Sequence, residues 1–268
     1  MSGPLVSAIL TIANPRRQTL ARKVVNQFVY QQYTPYELVI VNGTDTKILT
    51  NESMNTDEMI GVGCQVIEVH VPAGLNSAAM KNHGLRVARG EWVICLDDDD
   101  YFHRDRLMYQ MAHRRQGPCM LRYQLRVDVS AALIPDAPDS GEIRPLLHLL
   151  RKDQGIPCTM LFPRLSPELQ PWQFNEDLNI YEYDELLARM KQAGLETVVC
   201  NNMHNAFVQG LHWPLLSVAM YHGGNELTQE QFFTLGESAE RGKVPVGLNA
   251  VDMEHLKVVL QSYNFTVR

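Results

Sequence analysis

Residues 92–100 read WVICLDDDD, an apolar run that ends in four consecutive aspartates. A short, continuous apolar run of this kind predicts a buried β-strand. Four carboxylates at one rigid strand end repel each other strongly, and a bound cation would relieve that repulsion. The alternative is a solvated acidic turn that binds nothing.

The residues before this stretch alternate between buried strands and amphipathic helices. Strands are predicted at 5–12, 37–41, 64–71 and 92–96, and helices at 19–32 and 77–88. The polar segment 44–63 predicts a loop with at most a short helix. This order is typical of an α/β fold with a mostly parallel central sheet and helices on both faces.

Polar side chains follow three of the predicted strands at the point where each strand ends. They are Asn14, Asn42 and the four aspartates. The carboxyl ends of parallel strands meet at one edge of a sheet, and α/β proteins bind ligands there. This convergence favours a ligand site over a solvated turn.

The chain after residue 101 carries a weaker pattern. Strands are predicted at 120–129 and 158–162, a polar loop at 137–141, and helices at 183–193 and 252–261. No repeat or sharp boundary divides the chain. We expect one domain over residues 1–235, followed by a helical extension at 236–268.

Composition excludes several classes of protein. With 24 Lys+Arg against 30 Asp+Glu, the formal charge is −6, so no nucleic-acid partner is expected. The five cysteines form no Cys-x-x-Cys pair, which is the usage of reduced thiols. No apolar run approaches the ~18 residues of a transmembrane segment, and the N-terminus has no signal-peptide pattern. We expect a cytoplasmic protein, with peripheral attachment to a membrane surface as the alternative.

The acidic stretch suggests a specific chemistry. Asp97 and Asp99, separated by one residue, have the spacing to hold a divalent ion against the oxygens of a diphosphate. Mg²⁺ and Mn²⁺ both prefer such hard oxygen ligands, and both neutralise charge on a leaving phosphate. Asp98 and Asp100 are candidates to bind ribose hydroxyls or to orient the ligands.

The segments 71–74, 77–85, 88–92 and 96–100 together resemble glycosyltransferase family 2. The resemblance implies a GT-A fold, with a nucleotide-sugar-binding half at 1–100 and an acceptor-binding half at 101–235. It also implies inverting transfer of a hexose or N-acetylhexosamine from a nucleotide diphosphate sugar, expected to be UDP-linked, with Mn²⁺ or Mg²⁺. The acceptor hydroxyl is expected on a glycan, a lipid-linked glycan, a protein or a small molecule.

The resemblance also assigns residues to the donor site. The nucleotide-sugar-binding residues that it implies are Thr11, Ala13, Asn14, Asn42, Lys81, Asp97 and Asp98. Asn42 stands where the family usually has an aspartate that contacts the base. Asp99 is the expected direct metal ligand, and His222, in the segment 221–225, resembles a late histidine that reaches the metal. The alternatives are that Lys81 is a solvated helix residue and His222 an ordinary loop residue.

A second matching region, residues 174–178 and 182–186, resembles the part of the family that carries the general base. The match places Tyr183 where the family has the aspartate that deprotonates the acceptor. A phenol, with an ordinary pKa of about 10, is a poor base at neutral pH. We expect Asp184 or Glu182 to act instead, with Glu182 second because the family uses its equivalent to support the acceptor. The alternative is an exposed acidic helix start favoured by the helix dipole.

Two other functions remain open from the sequence. A catalytically impaired family member would bind a nucleotide sugar or a partner without turnover, which Tyr183 and Asn42 both allow. A metal-dependent nucleotidyltransferase would also set carboxylates at strand ends. That class would be expected to have a glycine-rich phosphate loop after the first strand, and the segment 13–17 contains no glycine.

Overall fold

A computed structural model describes residues 3–49, 64–128, 146–166, 169–178, 181–200 and 217–221. The chain divides into two compact units. The first comprises Met1–Asp99, Arg104–Leu121 and Gly155–Cys200, and the second comprises Asp100–His103, Arg122–Gln154 and Asn201–Arg268. The predicted halves at 1–100 and 101–235 stay predictions. The extension at 236–268, the helix at 252–261 and the loop at 137–141 lie outside the described residues.

Eleven strands are present in the described residues. They are β1 (Val6–Ile12), β2 (Tyr36–Asn42), β3 (Cys64–His70), β4 (Trp92–Leu96), β5 (Tyr101–Phe102), β6 (Cys119–Leu121), β7 (Tyr123–Asp128), β8 (Leu146–Arg151), β9 (Leu161–Pro163), β10 (Val198–Cys200) and β11 (Ser217–Tyr221).

The same residues contain four α-helices and two 3-10 helices. The α-helices are α1 (Gln18–Phe28), α2 (Ser77–Val87), α3 (Arg106–His113) and α4 (Glu182–Gln192). The 3-10 helices are Pro15–Arg17 and Pro157–Thr159. Within this described part of the chain, no helix has the length and apolar character needed to cross a membrane.

The first unit is built around a seven-stranded sheet in the order β10-β6-β9-β4-β1-β2-β3. β1 runs parallel to both β2 and β4, β2 runs parallel to β3, and β6 runs parallel to β10. β9 runs antiparallel to β4 and β6. The mostly parallel α/β sheet predicted from the sequence is therefore confirmed. The second unit has its own sheet, in the order β5-β11-β7-β8.

The register of the central strands brings their carboxyl ends together. Ile12 at the end of β1 lies opposite Asn42 at the end of β2. Leu96 at the end of β4 pairs with Leu10, two residues before the end of β1. The loops that follow these three strands therefore leave the sheet at the same edge, as the sequence predicts.

Helices cover the central strands of this sheet. All seven residues of β2 and all five of β4 are buried, so both faces of the central sheet are covered. One cluster of buried residues joins α2 and α4 to the sheet through Met80, Leu186 and Met190, packed with Ile9 and Val39. Because α2 and α4 share this core, the two helices are held next to each other beside β1 and β4.

The turn that enters β4 is fixed by a buried carboxylate. Glu37 is fully buried and accepts hydrogen bonds from Ser7 Oγ at 2.6 Å and from the backbone N–H of Arg89 at 2.7 Å. The Arg89 guanidinium pairs with the same carboxylate at 2.7 Å. Next to it, the Gly90 N–H donates to Ser7 Oγ at 2.7 Å. This network holds the start of β4 against β1.

Replacing Gly90 with alanine is expected to lower the free energy of unfolding by about 3 kcal/mol, because the added methyl overpacks a rigid contact. Its Cβ would lie 2.6 Å from the backbone nitrogen of Ser7 and 2.9 Å from the carbonyl oxygen of Leu5. Urea unfolding of the intact chain measures the change. Gly43→Ala is the matched control, since its Cβ would meet nothing closer than 3.5 Å. Equal losses in the two variants would contradict the explanation.

Two predicted strands differ from the structure. The expected strand at 120–129 is two strands, because β6 lies in the sheet of the first unit and β7 in that of the second. Apolar alternation does not reveal where a chain leaves one sheet for another. The expected strand at 158–162 begins instead as the 3-10 helix Pro157–Thr159, with proline at its first position, and only then becomes β9.

Candidate functional site

The loop after β1 begins the candidate site at the shared edge of the sheet. Thr11 lies in β1 opposite Val41, and Ala13 and Asn14 follow as exposed residues. Asn14 Oδ1 accepts a hydrogen bond from the backbone N–H of Arg16 at 2.9 Å, which caps the 3-10 helix Pro15–Arg17. The cap fixes the direction in which this short helix leaves the sheet.

Asn42 ends β2 with every hydrogen-bonding position of its amide used. Its Oδ1 accepts from the N–H of Thr44 at 2.9 Å and from Thr44 Oγ1 at 2.7 Å. Its Nδ2 donates to the carbonyl oxygen of Thr46 at 2.8 Å and to Glu68 Oε1 at 2.7 Å. A side-chain amide offers two acceptor and two donor positions. Asn42 is fully buried, so this arrangement favours a role in shaping the loop at 43–49 over direct contact with a base.

Glu68 explains why position 42 holds an amide. Its carboxylate also accepts from the backbone N–H groups of Ile48 and Leu49, both at 3.0 Å, so it anchors the same loop from β3. An aspartate at position 42 would place a second carboxylate 2.7 Å from Glu68 Oε1, where the amide now donates. Like charges at that distance repel strongly.

Asn42→Asp is therefore expected to lower the free energy of unfolding by about 2 kcal/mol, with the loop at 43–49 losing its anchor. The cost should shrink by about 1–2 kcal/mol in a Glu68→Gln background, because the repulsion is gone and the new amide can donate. Denaturant unfolding of the two single variants and the double variant measures this coupling. Strictly additive losses would show that the two side chains do not interact.

The acidic stretch lies at the end of β4, where Arg17 from the β1 loop meets it. Arg17 Nη1 lies 2.9 Å from Asp98 Oδ1 and 3.5 Å from Asp99 Oδ2. The side chains of Asp98 and Asp99 are only 5% and 7% exposed, so this ion pair is shielded from water. Asp97 is partly exposed. Asp97, Asp98 and Asp99 are thus brought together as the sequence predicts, with a cation that it did not identify.

The negative charges of these carboxylates lie close together in a buried place, which raises the pKa of two of them. Burial, with Asp99 as the next cause, raises the pKa of Asp98 to about 7 even though Arg17 opposes the change. Burial also raises the pKa of Asp97; Lys81 lowers it in part, while Asp99 and Glu182 raise it further. A cation that binds near these carboxyl groups would stabilise their ionised form.

The donor set fits a divalent metal ion. Carboxylate oxygens are the ligands that Mg²⁺ and Mn²⁺ prefer. The cluster contains four carboxylates and two cationic side chains, so its formal charge is −2 when all of them are ionised. The carboxylates are Asp97, Asp98, Asp99 and Glu182, and the cations are Arg17 and Lys81. Among the described residues no three His, Cys, Asp or Glu side chains already converge as a metal site, and His222 lies outside those residues.

Lys81 is buried under this cluster. The residue is 1% exposed, and its Nζ donates to Glu182 Oε1 at 2.9 Å and to Ser77 Oγ at 2.7 Å. The same nitrogen lies 4.3 Å from the ring centroid of Tyr183. With its ammonium held in this way, Lys81 is better placed to position Glu182 than to contact a nucleotide directly.

The three residues that open α4 face different surroundings. Glu182 is buried beside Lys81, and Asp184 is exposed. Tyr183 is 7% exposed, with its ring 5.2 Å from that of Phe174 in an edge-to-face contact. Burial raises the pKa of Tyr183 well above its ordinary value. Tyr183 is therefore a core residue that cannot accept a proton at neutral pH, and Glu182 is the carboxylate that points into the cluster.

The segment before α4 is attached to α2 by asparagine side chains. Asn82 Oδ1 accepts from the N–H of Phe174 at 2.7 Å, and its Nδ2 donates to the carbonyl oxygen of Phe174 at 2.9 Å. Asn76, the N-cap of α2, donates to the carbonyl oxygen of Glu176 at 2.6 Å. These contacts fix the approach of the chain to α4 and hence the position of Glu182.

Sequence reasoning missed two residues that shape the site. The sequence pattern assigns no role to Arg17 in the segment 13–17, and it places Ser77 only at the start of the helix at 77–88. A cation placed shortly after the first strand, in a chain with four aspartates after another strand of the same sheet, is the signal that could have identified Arg17.

Comparisons with protein families and with curated sequences agree on one family. The model of glycosyl transferase family 2 matches residues 7–132. The "Putative colanic acid biosynthesis glycosyl transferase WcaA" of Escherichia coli K12 is 26% identical over 115 residues, which is 43% of this chain and 39% of that protein. An uncharacterized glycosyltransferase of Haemophilus influenzae is 25% identical over 126 residues, 46% of this chain and 47% of its own length. The matches thus span less than half of each relative.

Solved structures share the fold across most of the chain. S. aureus TarS 1-349 in complex with UDP-GlcNAc has a TM-score of 0.52 at 15% identity, covering 87% of this chain and 64% of that one. The mannosyltransferase PcManGT from Pyrobaculum calidifontis, in complex with GDP-Man and Mn²⁺, has a TM-score of 0.51 at 14% identity, with coverage of 84% and 60%. The likeness confirms the predicted GT-A fold.

Proposed function

Since residues 7–132 match the model of glycosyl transferase family 2, we propose that this chain transfers a sugar from a nucleotide diphosphate donor to a hydroxyl group of an acceptor. The observation that carries the proposal is the acidic cluster Asp97–Asp99 at the carboxyl end of β4. It lies inside the matched region and at the sheet edge where α/β proteins bind nucleotides. The acceptor is a glycan, a lipid-linked glycan, a protein or a small molecule.

The proposed donor is a UDP-linked hexose or N-acetylhexosamine. The fold shared with TarS, which was solved with UDP-GlcNAc, supports a nucleotide sugar of this kind. The fold shared with a GDP-mannose complex leaves a guanine nucleotide as the other donor to test. Thr11, Ala13 and Asn14 would line the nucleotide pocket from β1, while Asn42 would shape it indirectly through the loop at 43–49.

A divalent cation is proposed to bind with the donor. Asp99, with Asp98, would hold Mn²⁺ or Mg²⁺, and the excess negative charge of the cluster supports this assignment. When bound, such an ion neutralises charge that develops on the leaving diphosphate. Asp97 would face the nucleoside. His222 remains the second proposed ligand, from outside the described residues.

Glu182 is proposed as the base that deprotonates the acceptor hydroxyl, ahead of Asp184. Within the described residues, the hydrogen bonds to Glu182 all go to Oε1, from Lys81 and from Ser77. Oε2 is therefore left to accept a proton from a hydroxyl. A base on the face opposite the leaving diphosphate gives a single displacement, which inverts the anomeric carbon. Asp184 is exposed.

One observation favours a second candidate function, in which the chain binds a nucleotide sugar without turnover. Tyr183 stands at the position that the resemblance assigns to the family base, and its burial removes it from proton transfer. If Glu182 serves only as the counter-ion of Lys81 and Asp184 takes no part, no base remains and donor binding would be the whole activity. Release of nucleotide diphosphate separates the two candidates.

Donor binding is expected to require the metal and Asp99. UDP-GlcNAc or GDP-mannose should raise the melting temperature in the presence of Mn²⁺, because a ligand that binds only the native state stabilises it. The shift should vanish with EDTA and in Asp99→Asn, which removes the charge that holds the ion. Asp177→Asn, at an exposed aspartate, is the matched control and should keep the full shift. Equal shifts with EDTA and with Mn²⁺ would disprove the metal assignment.

A further inference from the structure

Arg17 occupies the carboxylates that the proposed metal would use. It is the last residue of the capped 3-10 helix after β1, and its Nη1 lies 2.9 Å from Asp98 and 3.5 Å from Asp99. The Arg17 side chain is 19% exposed, against 5% and 7% for its partners, so the guanidinium closes the cluster on its more exposed side. The positive charge of a guanidinium this close opposes the binding of a divalent ion to the same two carboxylates.

We propose that Arg17 is a resident counter-ion of the donor site. In the donor-free protein it neutralises Asp98 and Asp99 and competes with the divalent cation for them. When metal and donor enter together, the guanidinium moves from the carboxylates to the diphosphate. The inference rests on the proposed function, because it takes the incoming ligand to be a metal-bound nucleoside diphosphate.

Electrostatics support both positions of the side chain. Without a cation, Asp98 and Asp99 would be two like charges side by side, both shielded from water. Arg17 offsets that cost before ligand arrives. Arginine suits the second position as well, since its planar guanidinium matches the oxygens of a phosphate and donates in pairs. One long side chain can thus serve the empty and the loaded site.

The exchange should make metal and donor bind cooperatively. Metal alone must displace Arg17 and leave the guanidinium without its carboxylates. Metal that arrives with a diphosphate supplies Arg17 with a new anionic partner at the same time. The protein would therefore bind free Mn²⁺ weakly, and bind it more tightly in the presence of UDP, with the difference depending on residue 17.

Calorimetric titrations of the full chain with Mn²⁺ and with UDP test the inference. Arg17→Gln should bind Mn²⁺ about tenfold more tightly without nucleotide, because a competing cation close to the carboxylates is removed. The same variant should bind UDP about tenfold more weakly at saturating Mn²⁺, because a charge-assisted contact to the diphosphate is lost. Opposite changes in the two affinities are the signature of exchange, and a merely structural role would weaken both.

Two further variants complete the design. Arg16→Gln removes the same charge from the neighbouring exposed residue, and both of its affinities should equal those of the wild type. Arg17→Lys keeps the charge without the planar fork, so its Mn²⁺ affinity should stay close to that of the wild type while UDP binding weakens. If Arg17→Gln has too low a melting temperature to be titrated, Arg17→Lys provides a folded variant with which to compare the wild type.

The outcomes separate this inference from the proposed function. An unchanged or weaker Mn²⁺ affinity in Arg17→Gln overturns the inference, even if UDP binds normally to the wild type. Tighter Mn²⁺ binding in Arg17→Gln, with no UDP binding by any variant, supports the competition but overturns both the transfer to the diphosphate and the proposed donor. Failure of Mn²⁺ to bind either protein overturns the inference as well.

Discussion

Lys81→Met is expected to lower the free energy of unfolding by about 3–5 kcal/mol, the cost of breaking a buried ion pair by removing one partner. Lys81 is 1% exposed, and its ammonium is the charge that faces Glu182 at 2.9 Å. Without it, Glu182 stays buried beside Asp97 with no cation next to it, and the contact with the ring of Tyr183 is lost. Urea unfolding followed by circular dichroism measures the loss.

Two variants show whether the lost charge or the lost packing is responsible. Lys81→Met combined with Glu182→Met replaces both partners with apolar chains of similar length, and should return to within about 1 kcal/mol of the wild type. Lys191→Met changes an exposed lysine on α4 and should stay within about 0.5 kcal/mol. If Lys81→Met alone unfolds like Lys191→Met, the pair is not a structural element of the site.

Glu182→Gln is expected to slow release of UDP from UDP-GlcNAc by about 10²- to 10⁴-fold, the usual contribution of a general base. Water can serve as the acceptor in this assay, so no natural acceptor is needed. The amide keeps the shape of the side chain and can still accept from Lys81 Nζ, while losing the ability to take a proton. Release is followed in the presence of Mn²⁺, at donor concentrations that saturate the variant.

Asp184→Asn is the matched control for this prediction, because it removes a neighbouring carboxylate that is exposed. Its turnover should stay within about threefold of the wild type, well below the usual contribution of a general base. The reverse pattern, with Asp184→Asn inactive and Glu182→Gln active, would assign the base to Asp184. A wild-type protein that binds UDP-GlcNAc with Mn²⁺ but releases no UDP would support the function of binding alone.

The first hundred residues show which parts of the fold a sequence can predict. The predicted strands at 5–12, 37–41, 64–71 and 92–96 match β1 to β4 to within a residue or two at each end. β1, β2 and β4 are buried almost throughout, whereas the edge strand β3 is only partly buried. A continuous apolar run bounded by Gly, Pro or Asn is a strong local signal. Their parallel direction follows from the alternation of strands and helices along the chain.

Helix α3 was not predicted, and its buried face explains why. Arg106 and Gln110 lie on that face with Leu107 and Met111, so the apolar period of a helix is interrupted. Gln110 Nε2 donates to the carbonyl oxygens of Cys119 and Thr159, both at 2.9 Å. A polar side chain buried to satisfy distant carbonyls looks the same in a sequence as one that faces water.

The candidate site was predicted as a location but not as a set of contacts. Strand ends converge by topology alone, so the meeting of Asn14, Asn42 and Asp97–Asp99 at one edge follows from the sheet. Whether a side chain is used up by protein partners depends on tertiary neighbours that no spacing reveals. Lys81, expected near the nucleotide, is buried beneath Glu182. The side-chain amide of Asn42 likewise makes all of its hydrogen bonds to Thr44, Thr46 and Glu68.

The amide of Asn42 and the carboxylate of Glu68 also constrain how this chain can evolve. Asn and Asp codons differ by a single base, so the aspartate usual in the family is one mutation away. That step is repulsive while Glu68 is present, because the new carboxylate would face Glu68 Oε1 at 2.7 Å. A prior change at position 68 would lower the cost of that step. We therefore expect the two positions to be epistatic, so that the loop at 43–49 accepts the aspartate more readily in that order.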